Sequence, residues 1–391
     1  MSTELYGQNR PVVSKLNLEV ISYKILKPTQ KHTWLFVLPT DSVQGSEHIV
    51  KSMALYVSQN EHPCRVIVLS KKTSMGWHDE EKRYDIVYLP FNSYFLGALY
   101  LLPYLFFKNY KNVNYTFSSQ TIINGTLGLA KRLGVVEAKV IVRESNSIFE
   151  LLHGYKLKIY SLFYTLGYKG SSLVITQTDY MKEQLLKALP TLTKNLNIKT
   201  IPNPFNFEDI NSRTGNIAKE FKTKNFIVAA GRLAPAKGFD ILIDAFKDIT
   251  TVRNDLDLII LGEGAERENL NKKIDELGLN EKVHMPGYVQ NVYAYFKRAK
   301  VCVLSSRIEG FPNVLLQMMS QNTAIVATLS AGGIEDIPNI QTCPTEDMEK
   351  LKNSIINALE SDTTTNKPIF DSFLKSRTQS SFYTQIMESV H

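Results

Sequence analysis

The stretch Phe226-Ile227-Val228-Ala229-Ala230-Gly231-Arg232-Leu233-Ala234-Pro235-Ala236-Lys237-Gly238 decides how the rest of the chain is read. Its apolar start makes a buried strand, a glycine turn follows, and the amphipathic run Phe239–Thr250 reads as a helix. A strand that ends in a glycine turn ahead of a helix N-terminus is a prepared anion site, because unpaired amides and the helix dipole both favour negative charge there. The turn also carries Arg232 and Lys237, five residues apart. Arg offers parallel donors and Lys a point charge, a pair suited to closing on one diphosphate. Standing alone, the same turn serves equally well as a solvated basic loop.

It does not stand alone. Strand Leu256–Leu261 ends in Gly262-Glu263-Gly264, and strand Val283–Met285 runs into Pro286-Gly287-Tyr288-Val289. Strand Val301–Leu304 leads into Ser305-Ser306-Arg307-Ile308-Glu309-Gly310-Phe311-Pro312-Asn313-Val314-Leu315-Leu316-Gln317. That order puts the Glu309 carboxylate in a strand-to-helix turn at the mouth of a cleft. The amides of Asn313, Val314 and Leu315 then open a helix and point at a phosphate. Strand Ala324–Ala327 and helices Ala265–Leu277, Val292–Arg298, Val314–Gln321 and Met348–Ser361 complete this half.

The first half has the same alternation. Strands are expected at Trp34–Leu38, Arg65–Leu69, Ile86–Leu89, Tyr115–Ser118, Val140–Arg143 and Leu173–Thr176. Helices fall at Glu47–Gln59, Ile122–Leu133, Lys156–Lys169 and Asp179–Leu189. The two prolines of Ile201-Pro202-Asn203-Pro204-Phe205 fit neither a helix interior nor a central strand and mark a boundary. Repeated strand–helix units give parallel sheets covered on both faces, here twice. The fold expected is α/β, two Rossmann-like domains with parallel sheets facing across a cleft. Residues 31–200 are expected to form the first of these domains and residues 201–365 the second. A last helix, Phe370–Glu388, within residues 366–391, is expected to pack back on the first domain, and residues 1–30 are an extension of unknown role.

Composition agrees with two domains of ordinary size. The chain has 391 residues, 43% hydrophobic and 21% charged, which excludes disordered and fibrous classes. Cys64, Cys302 and Cys343 are scattered and odd in number, against a disulfide framework or a zinc site and in favour of a reducing compartment. No metal site is expected, and His48, His62, His78, His153 and His284 show no partner pattern. No signal peptide is read at the start. Charge is divided unevenly. Residues 1–200 hold 24 Lys and Arg against 14 Asp and Glu, whereas residues 201–391 hold 21 against 24. The most apolar stretch, Ile86 to Tyr110, contains Pro90 and Pro103 and makes a poor spanning helix. It reads either as strand, loop and buried helix of an α/β core or, from its Tyr and Phe beside Lys, as a face that touches lipid headgroups.

The run from Gly231 to Gln317 resembles the donor half of the GT-B, family 4 retaining (group 1) glycosyltransferases. That family carries a G-R-L-x-x-x-K-G turn, a G-x-G turn, a G-[FY]-V turn and an E-G-F-x-x-x-x-x-E box. Gly231–Gly238, Gly262–Gly264, Gly287–Val289 and Glu309–Gln317 match them in order. More weakly, Gln44-Gly45-Ser46-Glu47 resembles the family's Gly-Gly-Ala-Glu loop and Ile201-Pro-Asn-Pro its inter-domain segment. The resemblance implies a GT-B fold, with an acceptor-binding domain at residues 31–200 and a donor-binding domain at residues 201–365. It also implies transfer of a hexose or N-acetylhexosamine from a nucleotide diphosphate sugar, a UDP-sugar from family frequency. Arg232 and Lys237 would neutralise the leaving diphosphate, and Glu309 would hold donor-sugar hydroxyls. Asn313, Val314 and Leu315 would hold the distal phosphate, and Tyr288 and Val289 would lie against the base. Gly45 and Ser46 would approach the phosphates on closure, and Gly231, Glu263, Gly310 and Phe311 complete the donor site. No cofactor is implied, since the nucleotide sugar is a substrate, and cations in place of a metal can stabilise the leaving group. Family members retain the anomeric configuration.

Three departures from the family pattern stand out. The second acidic position of the box is Gln317, which can still pair with a ribose diol but without the charge. After strand Val140–Val142 comes Arg143-Glu144-Ser145-Asn146, where many relatives place a histidine near the sugar. Arg143 or Asn146 serves a related polar role, or Arg143 and Glu144 form a structural ion pair; both readings stay open. Gly332-Gly333-Ile334-Glu335-Asp336-Ile337-Pro338 resembles the family's next turn but lacks its glycine-containing insertion. The expected function is extension of a lipid-linked or cell-surface polysaccharide, such as O-antigen or capsule, by a cytoplasmic or peripheral membrane enzyme. Its partners are the donor, a glycan or lipid-linked acceptor and an anionic membrane surface, and no nucleic acid. A non-catalytic scaffold, suggested by Gln317, and a nucleotide-sugar epimerase are the alternatives, although no acid/base cluster of the kind an epimerase needs is visible.

Overall fold

Long apolar runs become the central strands of two all-parallel sheets. The computed structural model describes residues 31–42, 45–71, 77, 83–146, 148–212 and 215–390. The expected extension 1–30, together with Gln44 and His78, lies outside the described residues. The first sheet is built from β1 (Trp34–Thr40), β2 (Cys64–Ser70), β3 (Asp85–Tyr88), β4 (Tyr115–Ser118), β5 (Lys139–Arg143), β6 (Leu173–Thr176) and β7 (Ile198–Thr200). Its spatial order is β3-β2-β1-β4-β5-β6-β7. The second contains β8 (Asn225–Ala230), β9 (Leu256–Leu261), β10 (Val283–Gly287), β11 (Val301–Leu304), β12 (Ile325–Thr328) and β13 (Gln341–Cys343), in the order β10-β9-β8-β11-β12-β13. All pairings are parallel. Every residue of β1 and β9 is buried, as strands covered by helices on both faces require.

Strand order also says where a ligand fits. Each sheet runs outward in one direction from its first strand and then restarts on the other side, between β1 and β4 and between β8 and β11. A crevice opens at such a switch point, beyond the carboxyl ends of the strands. In the second domain the loops that emerge there are Gly231–Gly238 after β8 and Ser305–Asn313 after β11. In the first they are the turn that reaches Gly45 and Ser46 after β1 and the Ser119–Gln120 turn after β4.

Three departures from the sequence expectation concern the sheet edges and the chain end. The edge strands β7 and β13 are each three residues long and carry too little apolar pattern to be anticipated. The expected last helix is two helices, Asn366–Lys375 and Gln379–Val390. The first buries Phe370 and Leu374 in the second domain, whereas the second buries Phe382, Ile386 and Val390 beside Trp34, Phe36 and Phe117 of the first. Thr378 begins the second helix by accepting the Ser381 amide at 3.1 Å. Gln379 then bonds Ser52 Oγ at 2.6 Å, so the chain end crosses from one sheet to the other.

Candidate active site

The loop after β8 is built to hold its shape. The Gly231 amide donates to Leu261 O and the Leu233 amide to Glu263 O, both at 2.9 Å, tying this loop to the one after β9. Residues Pro235–Lys237 turn tightly into Gly238, whose φ of +61° favours glycine. A Cβ there would also stand 2.1 Å from Ser305 O, so only glycine lets the loop meet the segment after β11. Arg307 clamps the same loop. Its guanidinium bonds Pro235 O at 2.7 Å and forks onto both oxygens of Asp240 at 2.7 Å. Burial opposes ionisation of Asp240, but the Arg307 bonds outweigh it and hold the carboxyl below its ordinary range.

These constraints bring Lys237 and Glu309 together. The Lys237 ammonium pairs directly with Glu309 Oε1, with 24% and 13% of the two side chains exposed. Ser306 Oγ donates to the same oxygen at 2.8 Å, and the Glu309 amide donates to Ser330 O at 2.8 Å. Arg232 is exposed on the same loop. It has no ion-pair partner among the described residues. Glu263 turns away to a two-point pair with Arg267, at 2.6 and 2.7 Å. Tyr288 is 60% exposed, while Val289 packs against the domain core.

The helix Asn313–Gln321 opens after Pro312 with no side-chain cap. The Leu315 amide is engaged with Pro312 O at 3.0 Å, which leaves Asn313 and Val314 as the uncapped amides of the first turn. Gln317 is half-buried and sits 3.5 Å from Tyr293 Oη. Phe311 is buried, with the Arg377 guanidinium 4.9 Å from its ring centroid. Burial lowers the Arg377 guanidinium to about 10. Gly310 faces the first domain: a Cβ there would meet Ser145 O at 2.4 Å.

The first domain answers with a buried polar network. Arg143 is 2% exposed and donates to Ser119 Oγ at 2.6 Å and to Asn203 Oδ1. Asn203 is itself buried and donates to Gln177 Oε1 at 2.7 Å and to Asn313 Oδ1 at 2.8 Å. It therefore joins the first domain to the opening residue of the Asn313–Gln321 helix. Glu144 accepts from Tyr164, Tyr168 and Asn124. Of the two readings left open, an Arg143–Glu144 ion pair is absent among the described residues; the two adjacent side chains act on each other through their fields and take neutral partners. Desolvation lowers Arg143 to about 9, opposed by the Glu144 charge. It pushes Glu144 up from its ordinary value, opposed by its hydrogen bonds and by Arg143. Asn146 is exposed nearby. Gly45, at φ +60°, begins the helix Ser46–Gln59, and Ser46 Oγ bonds Glu47 at 3.0 Å.

Between the domains lies a cavity of about 460 Å³. Glu150 and Tyr180 line it from the first domain, and Ile308 and Ser330, flanking Glu309, from the second. Sequence reasoning missed Ser306, Gln177 and the bridging role of Asn203. The only signal for the last was a polar residue locked between two prolines.

Residues 213–369 match the family described as Glycosyl transferases group 1. An uncharacterized glycosyltransferase of Methanocaldococcus jannaschii is 29% identical over 200 residues, 49% of this chain and 48% of that protein. The N-acetylgalactosamine-N,N'-diacetylbacillosaminyl-diphospho-undecaprenol 4-alpha-N-acetylgalactosaminyltransferase of Campylobacter jejuni is 27% identical over 214 residues, 54% of this chain and 56% of that protein. The chain thus spans about half the length of these two relatives. Among solved structures, Anabaena HepE in complex with UDP and glucose superposes with a TM-score of 0.73 at 17% identity, covering 92% of this chain and 99% of that one. The sucrose-phosphate synthase of Thermosynechococcus elongatus gives 0.73 at 14% identity, covering 92% and 98%. The fold is GT-B, as the sequence implied.

Proposed function

We propose that this chain, a GT-B protein whose second domain belongs to the group 1 glycosyltransferases, moves a hexose or N-acetylhexosamine from a UDP-sugar to a lipid-linked glycan with retention of configuration. The observation that carries the reading is the Lys237–Glu309 pair, made by two loops that converge at the sheet's switch point and left partly open to the cleft. A donor diphosphate offers Lys237 a stronger anion, and Arg232 on the same loop adds a second cation. Glu309, released from its partner, accepts from sugar hydroxyls, with Ser306 holding one of its oxygens. The amides of Asn313 and Val314 face the distal phosphate, Tyr288 and Val289 the base, and Gln317 the ribose. Gly45 and Ser46 approach across the cleft.

In the reaction the bond from the anomeric carbon to the diphosphate oxygen breaks and a bond to an acceptor hydroxyl forms on the same face. The acceptor proton passes to the leaving phosphate. Charge stabilisation and positioning do the work, with no cofactor beyond the nucleotide sugar. The cavity beside Ile308 and Ser330 is the route we assign to the acceptor, with Glu150 and Tyr180 on its first-domain side. Support for a lipid-linked acceptor comes from the Campylobacter relative, whose name specifies a diphospho-undecaprenol substrate. Such an acceptor places the enzyme at the cytoplasmic face of a membrane, in the synthesis of a surface polysaccharide.

The test is incubation of the purified chain with a panel of UDP- and GDP-sugars and a bacterial lipid extract. Transfer of labelled sugar to the lipid fraction is the expected result. Epimerised donor, or donor binding without turnover, would overturn the reading in favour of an isomerase or a scaffold.

A further inference from the structure

Two neighbouring helices of the first domain turn an apolar side outward. The Tyr94–Lys108 helix buries Gly97, Ala98, Leu101 and Leu105 but exposes Phe95, Leu96, Leu99, Tyr100, Phe106 and Phe107, the last at 80%. The Gly154–Gly167 helix exposes Tyr155 (77%), Leu162 and Leu166. Tyr94 of the first lies beside Tyr160 of the second, and both helices pack on the same buried helix, Thr121–Arg132. Arg132 bonds Leu166 O, which brings exposed Leu133 alongside. Single exposed apolar residues need no explanation, but a joined patch of this kind marks a surface that is covered in use.

Charge says by what. From Ile86 to Val136 the chain has 51 residues without an Asp or Glu, and from Leu151 to Thr178 another 28, in a protein with 38 acidic residues in 391. The same two stretches carry Lys108, Lys111, Lys131, Arg132, Lys156, Lys158 and Lys169. All are exposed except Lys131, which is half-buried. A second copy docked on this face would set cation against cation with no carboxylate to answer, because a two-fold interface pairs a patch with itself. An anionic bilayer answers both features at once: it attracts the cations, and its acyl boundary takes the aromatic and leucine side chains. No helix among the described residues is long and apolar enough to cross a membrane, so these lie along its surface.

We propose that the paired faces of the Tyr94–Lys108 and Gly154–Gly167 helices dock the protein on an anionic lipid bilayer. The inference deepens the proposed function by naming the surface on which a lipid-linked acceptor would be met, and it rests on that reading only for its purpose. Binding is read on the full chain by flotation with vesicles of phosphatidylglycerol and phosphatidylcholine, without donor or acceptor, beside pure phosphatidylcholine. The protein should float with the anionic vesicles only and be released by salt. Lys156→Gln and Lys158→Gln should each lower partitioning about five-fold. The double change Phe106→Ser with Phe107→Ser should lower it more than ten-fold at unchanged UDP affinity. Phe107→Trp supplies an independent signal, a blue shift of emission when anionic vesicles are added. Equal flotation with neutral vesicles, an unshifted Phe107→Trp spectrum, or a wild-type dimer that the Phe106→Ser, Phe107→Ser double change dissolves would overturn the proposal. Vesicle binding without sugar transfer would sink the enzymatic reading and leave this one standing; transfer without vesicle binding would do the reverse.

Discussion

Each domain sets a cation beside a carboxylate at the carboxyl edge of its sheet, and the two pairs are made differently. In the second domain Lys237 and Glu309 come from loops 72 residues apart, touch directly and remain partly exposed. In the first, Arg143 and Glu144 are adjacent, wholly buried, and partnered by Ser119, Asn203, Tyr164, Tyr168 and Asn124 instead of by each other. A partly open pair can exchange its partner for a ligand at low cost, because solvent and ligand both reach it. A buried set of neutral hydrogen bonds cannot, because every broken bond leaves a desolvated group behind. The first arrangement therefore suits chemistry, the second the rigid support of a bridge through Asn203.

The largest expected effect belongs to the support. Glu144→Ala strands the Tyr164 and Tyr168 hydroxyls in a desolvated site, at about 1–3 kcal/mol for each group left unpaired. Urea unfolding should show a lower midpoint at unchanged slope, and a loss under about 1 kcal/mol would end the contrast between the two pairs. Lys237→Ala should do the opposite. We expect turnover to fall about 10²–10³-fold, with stability moved by about 1 kcal/mol or less, since a partly exposed ion pair holds little of it. Comparable loss of stability in both variants would make Lys237 structural.

Gln317→Glu sharpens the donor side. A carboxylate facing the ribose diol adds a charge-assisted bond worth about 1–2 kcal/mol, so the apparent KM for the donor should fall; an unchanged or higher value rejects the assignment of Gln317. The smallest effect is a pH slope. Folded Glu144 titrates above its ordinary 4.5. Its contribution to stability is thus full below that value and is lost as pH rises through the folded pKa. Wild type should lose Tm relative to Glu144→Gln as pH is raised from 4.5 toward neutrality. A difference that stays flat, or grows in the other direction, would mean that Glu144 ionises as freely folded as unfolded.

Legibility followed the same division. The Gly231–Gly238, Gly262–Gly264 and Glu309–Gln317 turns could be read because each is a short, contiguous strand-to-helix junction whose residue types serve one local geometry. Lys237 and Glu309 were expected at one site, and the structure brings them into contact. The Arg143–Glu144 adjacency misled in part, since sequence neighbours at the end of a strand point to opposite faces. The last helix was read as continuous because its periodicity survives the Ser376–Thr378 break. What divides it is which core each half enters.

The sequence by itself determined the two parallel sheets, the order of the glycine turns between strand and helix and the basic bias of the first half. Strand periodicity, turn glycines and charge are local properties that any reader of the chain can count. Tertiary structure alone decided that Asn203 joins Arg143, 60 residues away, to Asn313, 110 residues away. It also decided that two helices more than forty residues apart share one outward apolar face. Both are matters of what lies opposite a side chain once the sheets have packed, and burial, which sets the energy of a polar or an exposed apolar group, exists only in the folded chain.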